Sequence, residues 1–256
     1  MNTVNQVDVL PFWGGGVLGQ RQSGIAARPA LNARFSPEDG DDVPIGHVLR
    51  PTWRGRVHVL ALAVIGPAVL LLVLSADGAV GTRIGVGVYA VGLCAMLSVS
   101  ATYHRWVNGL GARCAWRRAD HATIFAAIAG SCTPVVMKAF PGESGLVLLV
   151  AIWSAAIIGA GCKLGHWAPG DRVGALMYAV TAALGAPAGP AVWSRHGSGP
   201  ALLIVAGGAV YLVGATCFAR HWPTLRPTVF SFHEVWHVFT VVGAGLQLAA
   251  IWMLVT

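Results

Sequence analysis

Two histidines four residues apart, His233 and His237, enclose Glu234, Val235 and Trp236 in an H-E-x-x-H arrangement near the C-terminal end of the chain. On a helix, residues at this spacing share one face with Cβ atoms about 5–6 Å apart, so a single cation can bridge both imidazoles. Neutral imidazole is a preferred zinc ligand, and three protein ligands plus a water form the usual open, catalytic arrangement. His104 supplies the third ligand. A zinc ion brings the pKa of its water toward about 7, and a nearby carboxylate can orient that water and take its proton. Asp120 is preferred for that role. Glu234 competes, because the Glu of H-E-x-x-H is the general base in soluble zinc proteases. Here, however, Glu234 lies at a membrane edge, where a carboxylate can instead face headgroups or favour a helix N-terminus. Ser100 precedes His104 by one turn on the same face, so its hydroxyl points toward the metal water or a substrate carbonyl, or back-bonds to its own helix.

The elements that must bring these groups together are long and apolar. Of 256 residues, 55% are hydrophobic and only 11% charged, whereas a soluble domain is about a quarter charged. A helix needs about 20 apolar residues to cross a bilayer, and seven such stretches recur from residue 57 onward: 57–76, 80–104, 120–140, 145–162, 173–193, 200–219 and 233–255. Backbone groups in lipid must be satisfied internally, so stretches this continuously apolar are expected as helices and not barrel strands. The fold class is therefore all-α and polytopic, with a seven-helix transmembrane domain over 51–256. Pro134 in the third span is expected to kink that helix.

Residues 1–50 contain no apolar core of the signal-peptide type and carry Pro29, Pro37, Asp39, Asp41, Asp42 and Pro44, the composition of a poorly ordered cytoplasmic tail. Cys94, Cys114, Cys132, Cys162 and Cys217 are odd in number and show no CxxC spacing, so neither a disulfide framework nor a thiolate zinc site is expected.

Lys and Arg in the loops set the orientation. Arg50, Arg54 and Arg56 precede the first span; Arg105, Arg113, Arg117 and Arg118 follow the second; Lys163 and Arg172 follow the fourth; Arg220 and Arg226 follow the sixth. All four places share one side, taken as cytoplasmic. The N-terminus is then cytoplasmic, and the ends bearing His104, Asp120, His233 and His237 meet on that same side of the plasma membrane. The basic pI of about 9.6 is read as membrane orientation and not as a nucleic-acid footprint. Any one of these histidines alone is better explained as snorkelling to the interface, but a trio on converging ends beside an aspartate is costly in lipid and reads as functional. His121 points about 100° away from Asp120. It and His47, His58, His166, His196 and His221 are read as residues of the tail, loops and interfaces.

At these residues the chain resembles the hemolysin III branch of the progestin and adipoQ receptor superfamily. The matching motifs are Ser100-Ala101-Thr102-Tyr103-His104, Arg118-Ala119-Asp120-His121, Gly130-Ser131-Cys132-Thr133-Pro134 and Phe232-His233-Glu234-Val235-Trp236-His237. The resemblance covers the chain from about residue 50 onward. It implies a seven-helix fold with a cytoplasmic-side zinc on His104, His233 and His237, with Asp120 contacting the metal-bound water and Ser100 nearby. It further implies zinc-dependent lipid amide hydrolysis for the wider superfamily, whereas the hemolysin name implies pore formation. Cys132 stands where the family usually has Tyr, and Gln247 where a further His is common; both bear on polar packing around the site.

The function expected is a zinc-dependent hydrolase that cleaves an amide or ester in a lipid-like substrate of the inner leaflet, with membrane lipids as its partners. Arg117 and Arg118 either attract an anionic headgroup or simply anchor the loop as positive-inside charges. The alternative is a non-catalytic receptor-like or pore-forming, cytolytic protein with a structural zinc, although such a zinc normally has a fourth protein ligand.

Overall fold

A computed structural model describes residues 51–76, 79–165 and 170–256. The expected tail over 1–50, with His47, lies outside these residues, as does His166. The described residues form eight helices: α1 (Arg56–Ser75), α2 (Val80–Arg105), α3 (Leu110–Ala139), α4 (Glu143–Leu164), α5 (Asp171–Leu184), α6 (Ala188–His196), α7 (Ser198–Ala219) and α8 (Phe232–Val255). With α5 and α6 taken together, seven are long and apolar enough to cross a membrane.

Apart from α5 and α6, which follow one another as a single broken span, sequence neighbours pack side by side, α8 returns to α1, and α3 also touches α5, α6 and α8. Leu72, Leu97, Phe125, Ile152 and Ile251 fill the interior, while Leu60, Val64, Val91, Val147 and Leu212 are exposed on the outer face. An apolar outer face is what a lipid-immersed bundle presents. Lipid tails are as apolar as leucine, so helices associate there through close backbone approach at small residues. The α2–α3 contact shows this: a Cβ added at Gly92 would run into the backbone carbonyl of Ala126 on α3.

Two expectations need correcting. The span expected over 173–193 is split, because α5 ends at Leu184 and α6 starts at Ala188. Pro187 has no N–H to continue the ladder, and the bonds tighten to i→i−3 there, as in Gly185 N–H to Ala182 O and Ala186 N–H to Ala183 O. The third span also begins ten residues earlier than Asp120, at Leu110. Leu110, Ala112, Arg113, Ala115, Arg117, Arg118 and Ala119 are good helix formers, so Cys114 and these arginines ride on the first turns of α3 and not in a loop. The α3 helix runs unbroken through Pro134.

Gly92→Val should therefore lower the unfolding temperature of the detergent-solubilised protein, at an overpacking cost of about 1–3 kcal/mol. Gly161→Ala, where nothing lies within 4 Å of an added Cβ, should leave it unchanged or slightly raised.

Candidate metal centre

The site is assembled at one end of the bundle from the last turn of α2, the first half of α3 and the first two turns of α8. His233 and His237 enter by way of a well-capped helix start. The hydroxyl of Ser231, the N-cap of α8, accepts from the His233 N–H at 3.3 Å, and Glu234 completes a capping box by accepting from the Ser231 N–H at 2.7 Å. His104 sits in the closing turn of α2. All three histidines are buried.

One ring nitrogen from each of His104, His233 and His237 lies within 4.8 Å of the others, and among the described residues this is the cluster of His, Cys, Asp and Glu side chains able to hold an ion. The Nε2 atoms of His104 and His233 face each other at 3.3 Å. Two neutral imidazole nitrogens hold such a distance only if one is protonated toward the other or a cation lies between them. Ligands about 2.0–2.1 Å from a tetrahedral zinc stand about 3.3–3.4 Å apart, so the His104–His233 spacing is that of two ligands sharing one ion, with His237 within 4.8 Å of both. The donor set fits as well: three imidazoles suit zinc and related transition metals.

Asp120 flanks the trio. Its Oδ2 lies 3.6 Å from His104 Nε2, and Ser100 is close enough to act on its carboxylate electrostatically. Both Asp120 and Ser100 are buried. The sequence-derived set of Ser100, His104, Asp120, His233 and His237 is thus brought into one cluster. His121 lies outside the group of ligand atoms; its backbone carbonyl accepts from the Tyr178 hydroxyl at 2.9 Å.

Glu234, the competing base, is committed elsewhere. It is fully buried (0%). Its Oε1 takes Arg54 Nε–H at 2.5 Å, and its Oε2 takes the Ser231 N–H and hydroxyl at 2.7 and 2.6 Å. A carboxylate with both oxygens filled by an ion pair and a cap is a structural strut.

Two residues carry more than their sequence context suggested. Arg54, read as an orientation charge, is only 4% exposed. The segment around it runs against the residues before α8, with Thr52 N–H to Thr228 O and Trp53 N–H to Val229 O both at 3.1 Å. Gly55 follows in the left-handed region at φ 76°, and an added Cβ would sit 3.0 Å from the His104 Cβ; only glycine allows the chain to turn into α1 that close to α2. His58, read as interfacial, is buried one turn later, with its ring stacked on that of His237 at 4.0 Å between centroids.

Residues 47–248 match the family model described as Haemolysin-III related. The chain belongs to that haemolysin-III-related family. It is 29% identical to Hemolysin-3 of Bacillus cereus over 184 residues, covering 71% of this chain and 80% of the relative. It is 31% identical to the Hemolysin-3 homolog of Bacillus subtilis (strain 168) over 127 residues, 49% of this chain and 56% of that one.

At the two positions where this haemolysin-III-related chain departs from the motif pattern, the structure finds ordinary packing roles. Gln247 ties α8 to α7 by donating to Ile204 O at 3.2 Å. Cys132 packs toward Gly185, beside the break between α5 and α6. Arg117 and Arg118 are half-buried on α3 just before Asp120, while Arg113 lies over the Tyr103 ring at 5.8 Å.

Breaking the Arg54–Glu234 pair from one side leaves a buried charge uncompensated, so Arg54→Ala should destabilise the protein by about 3–5 kcal/mol. Removing both charges with Arg54→Met/Glu234→Leu should cost clearly less than Arg54→Ala alone. Thermal unfolding of the two variants in detergent checks the order.

Proposed function

We propose that this haemolysin-III-related protein is a zinc-dependent hydrolase of membrane lipids, cleaving an amide or ester within the inner leaflet of the plasma membrane. The observation that carries the reading is the buried carboxylate of Asp120 standing beside three converged imidazoles. His104, His233 and His237 hold the ion. When bound, zinc supplies Lewis-acid polarisation of a carbonyl and acidification of water at neutral pH. Asp120 is placed to take a proton on its carboxylate, with Ser100 acting on that carboxylate from close by. Glu234 stays out of the chemistry and fixes the start of α8. The apolar bundle around the cluster keeps bulk water away and strengthens each electrostatic contact inside it. A lipid reaches the site laterally between helices, and Arg117 and Arg118, on the α3 turn before Asp120, attract an anionic headgroup. The arginines gathered at this end of the bundle orient it toward the cytoplasm.

A second reading has its own support in the printed names of the two Bacillus relatives, Hemolysin-3 and its homolog. In it the protein is a cytolytic or receptor-like membrane protein and the metal is structural. A structural zinc normally takes four protein ligands, and three histidines come together here, which favours the hydrolase.

Metal analysis of the purified protein, followed by incubation with a panel of ceramides and acyl lipids, separates the two. Wild type is expected to carry zinc and release a fatty acid from at least one lipid of the panel. His237→Ala should lose the metal. Asp120→Asn should keep the metal and lose turnover by about 100-fold or more, the size of a general acid–base contribution. Zinc bound in wild type with no lipid cleaved would leave the cytolytic or receptor-like reading standing.

A further inference from the structure

His58 is a buried neighbour of the cluster that the proposed chemistry leaves unused. It is 2% exposed, one turn into α1. Its ring lies nearly parallel to that of His237, 12° from coplanar and 4.0 Å away, on a side chain that already faces His104 and His233 at centroid distances of 4.9 and 4.7 Å. Neither His58 Nδ1 nor Nε2 has a hydrogen-bond partner among the described residues, and His237 Nδ1 has none either. Asp120 and His104 are close enough to act on His58 electrostatically.

A ring needed only to stack on His237 would be better made from phenylalanine, which has the same planar face and no polar atoms to strip of water. Leaving a buried donor or acceptor unmade costs about 1–3 kcal/mol. A neutral imidazole carries one donor and one acceptor, so His58 brings both into an apolar bundle, beside a cluster suited to a metal. A buried group left unpaired in this way calls for a reason, and beside a cluster suited to a metal a partner that arrives with a ligand supplies one.

We infer that His58 is a ligand-binding residue of the centre, whose ring nitrogens hydrogen-bond the polar group of a molecule seated at the metal, while its face steadies His237. The chemistry recognised is a small group that both donates and accepts hydrogen bonds. This rests on the metal reading above, and the experiment separates the two. Purified full-length protein is loaded with Co²⁺, whose visible absorption reports the three-histidine site, and is then titrated with acetohydroxamate, a metal-binding group with a donor and an acceptor. His58→Phe should keep cobalt affinity within about threefold of wild type, since the stack survives, and should weaken acetohydroxamate binding by about tenfold or more. His58→Met supplies a second side chain without ring nitrogens and should show the same loss of acetohydroxamate affinity. His58→Asn, which restores a donor and an acceptor, should recover part of it. Unchanged acetohydroxamate affinity in His58→Phe or His58→Met overturns the inference and leaves His58 a packing residue. Failure of wild type to take up cobalt overturns the metal reading itself, and this inference with it.

Discussion

The 3.3 Å approach of two imidazole nitrogens, one from His104 and one from His233, is the contact around which this bundle is organised. Its members come from the end of α2 and the start of α8, 129 residues apart in the chain. Nothing in local helix formation holds them there. Two neutral imidazole nitrogens buried at such a distance repel unless a proton or a cation lies between them. The surrounding architecture therefore works to bring α2 and α8 together at one end, and three features near residue 55 do most of that. Gly55 lets the chain pass against His104, Thr52 and Trp53 pair with the backbone before α8, and Arg54 reaches Glu234 inside the first turn of that helix.

In this H-E-x-x-H sequence the glutamate is not free in the way a general base is in soluble zinc proteases. The two histidines keep the helical spacing that lets them share an ion, but the glutamate between them turns away from it, into a capping box and an ion pair. The carboxylate left beside the trio is Asp120, carried by a different helix. A buried ion pair is weak as a source of net stability but sensitive to the loss of either partner. Arg54 and Glu234 therefore fix the position of α8 more than they add to the stability of the fold.

Much of this was legible in the amino-acid sequence, for physical reasons that also mark where legibility stops. Long apolar runs bounded by arginines define spans and their alternation, and alternation alone put His104, Asp120, His233 and His237 on one side, where the structure joins them. The break at Pro187 leaves no mark in the apolar run because hydropathy is indifferent to a missing N–H, whereas the backbone ladder is not. Arg117 and Arg118 look like loop residues because charge marks the end of an apolar run, although arginine is a good helix former outside the bilayer core. The roles of Arg54 and His58 are hidden for a different reason. Whether an arginine faces headgroups or a buried glutamate depends on residue 234, 180 positions away, and whether a histidine is interfacial or stacked on His237 depends on how α1 turns against α8. Neither relation leaves a local signal.

The central claim is that three imidazoles share one divalent ion. X-ray absorption spectroscopy at the zinc edge of purified, metal-loaded protein tests it most directly. The expected spectrum has about one zinc per chain with a nitrogen and oxygen shell at about 2.0–2.1 Å and the outer-shell scattering of several imidazoles. A sulfur shell at about 2.3 Å, or no imidazole scattering, would contradict the account.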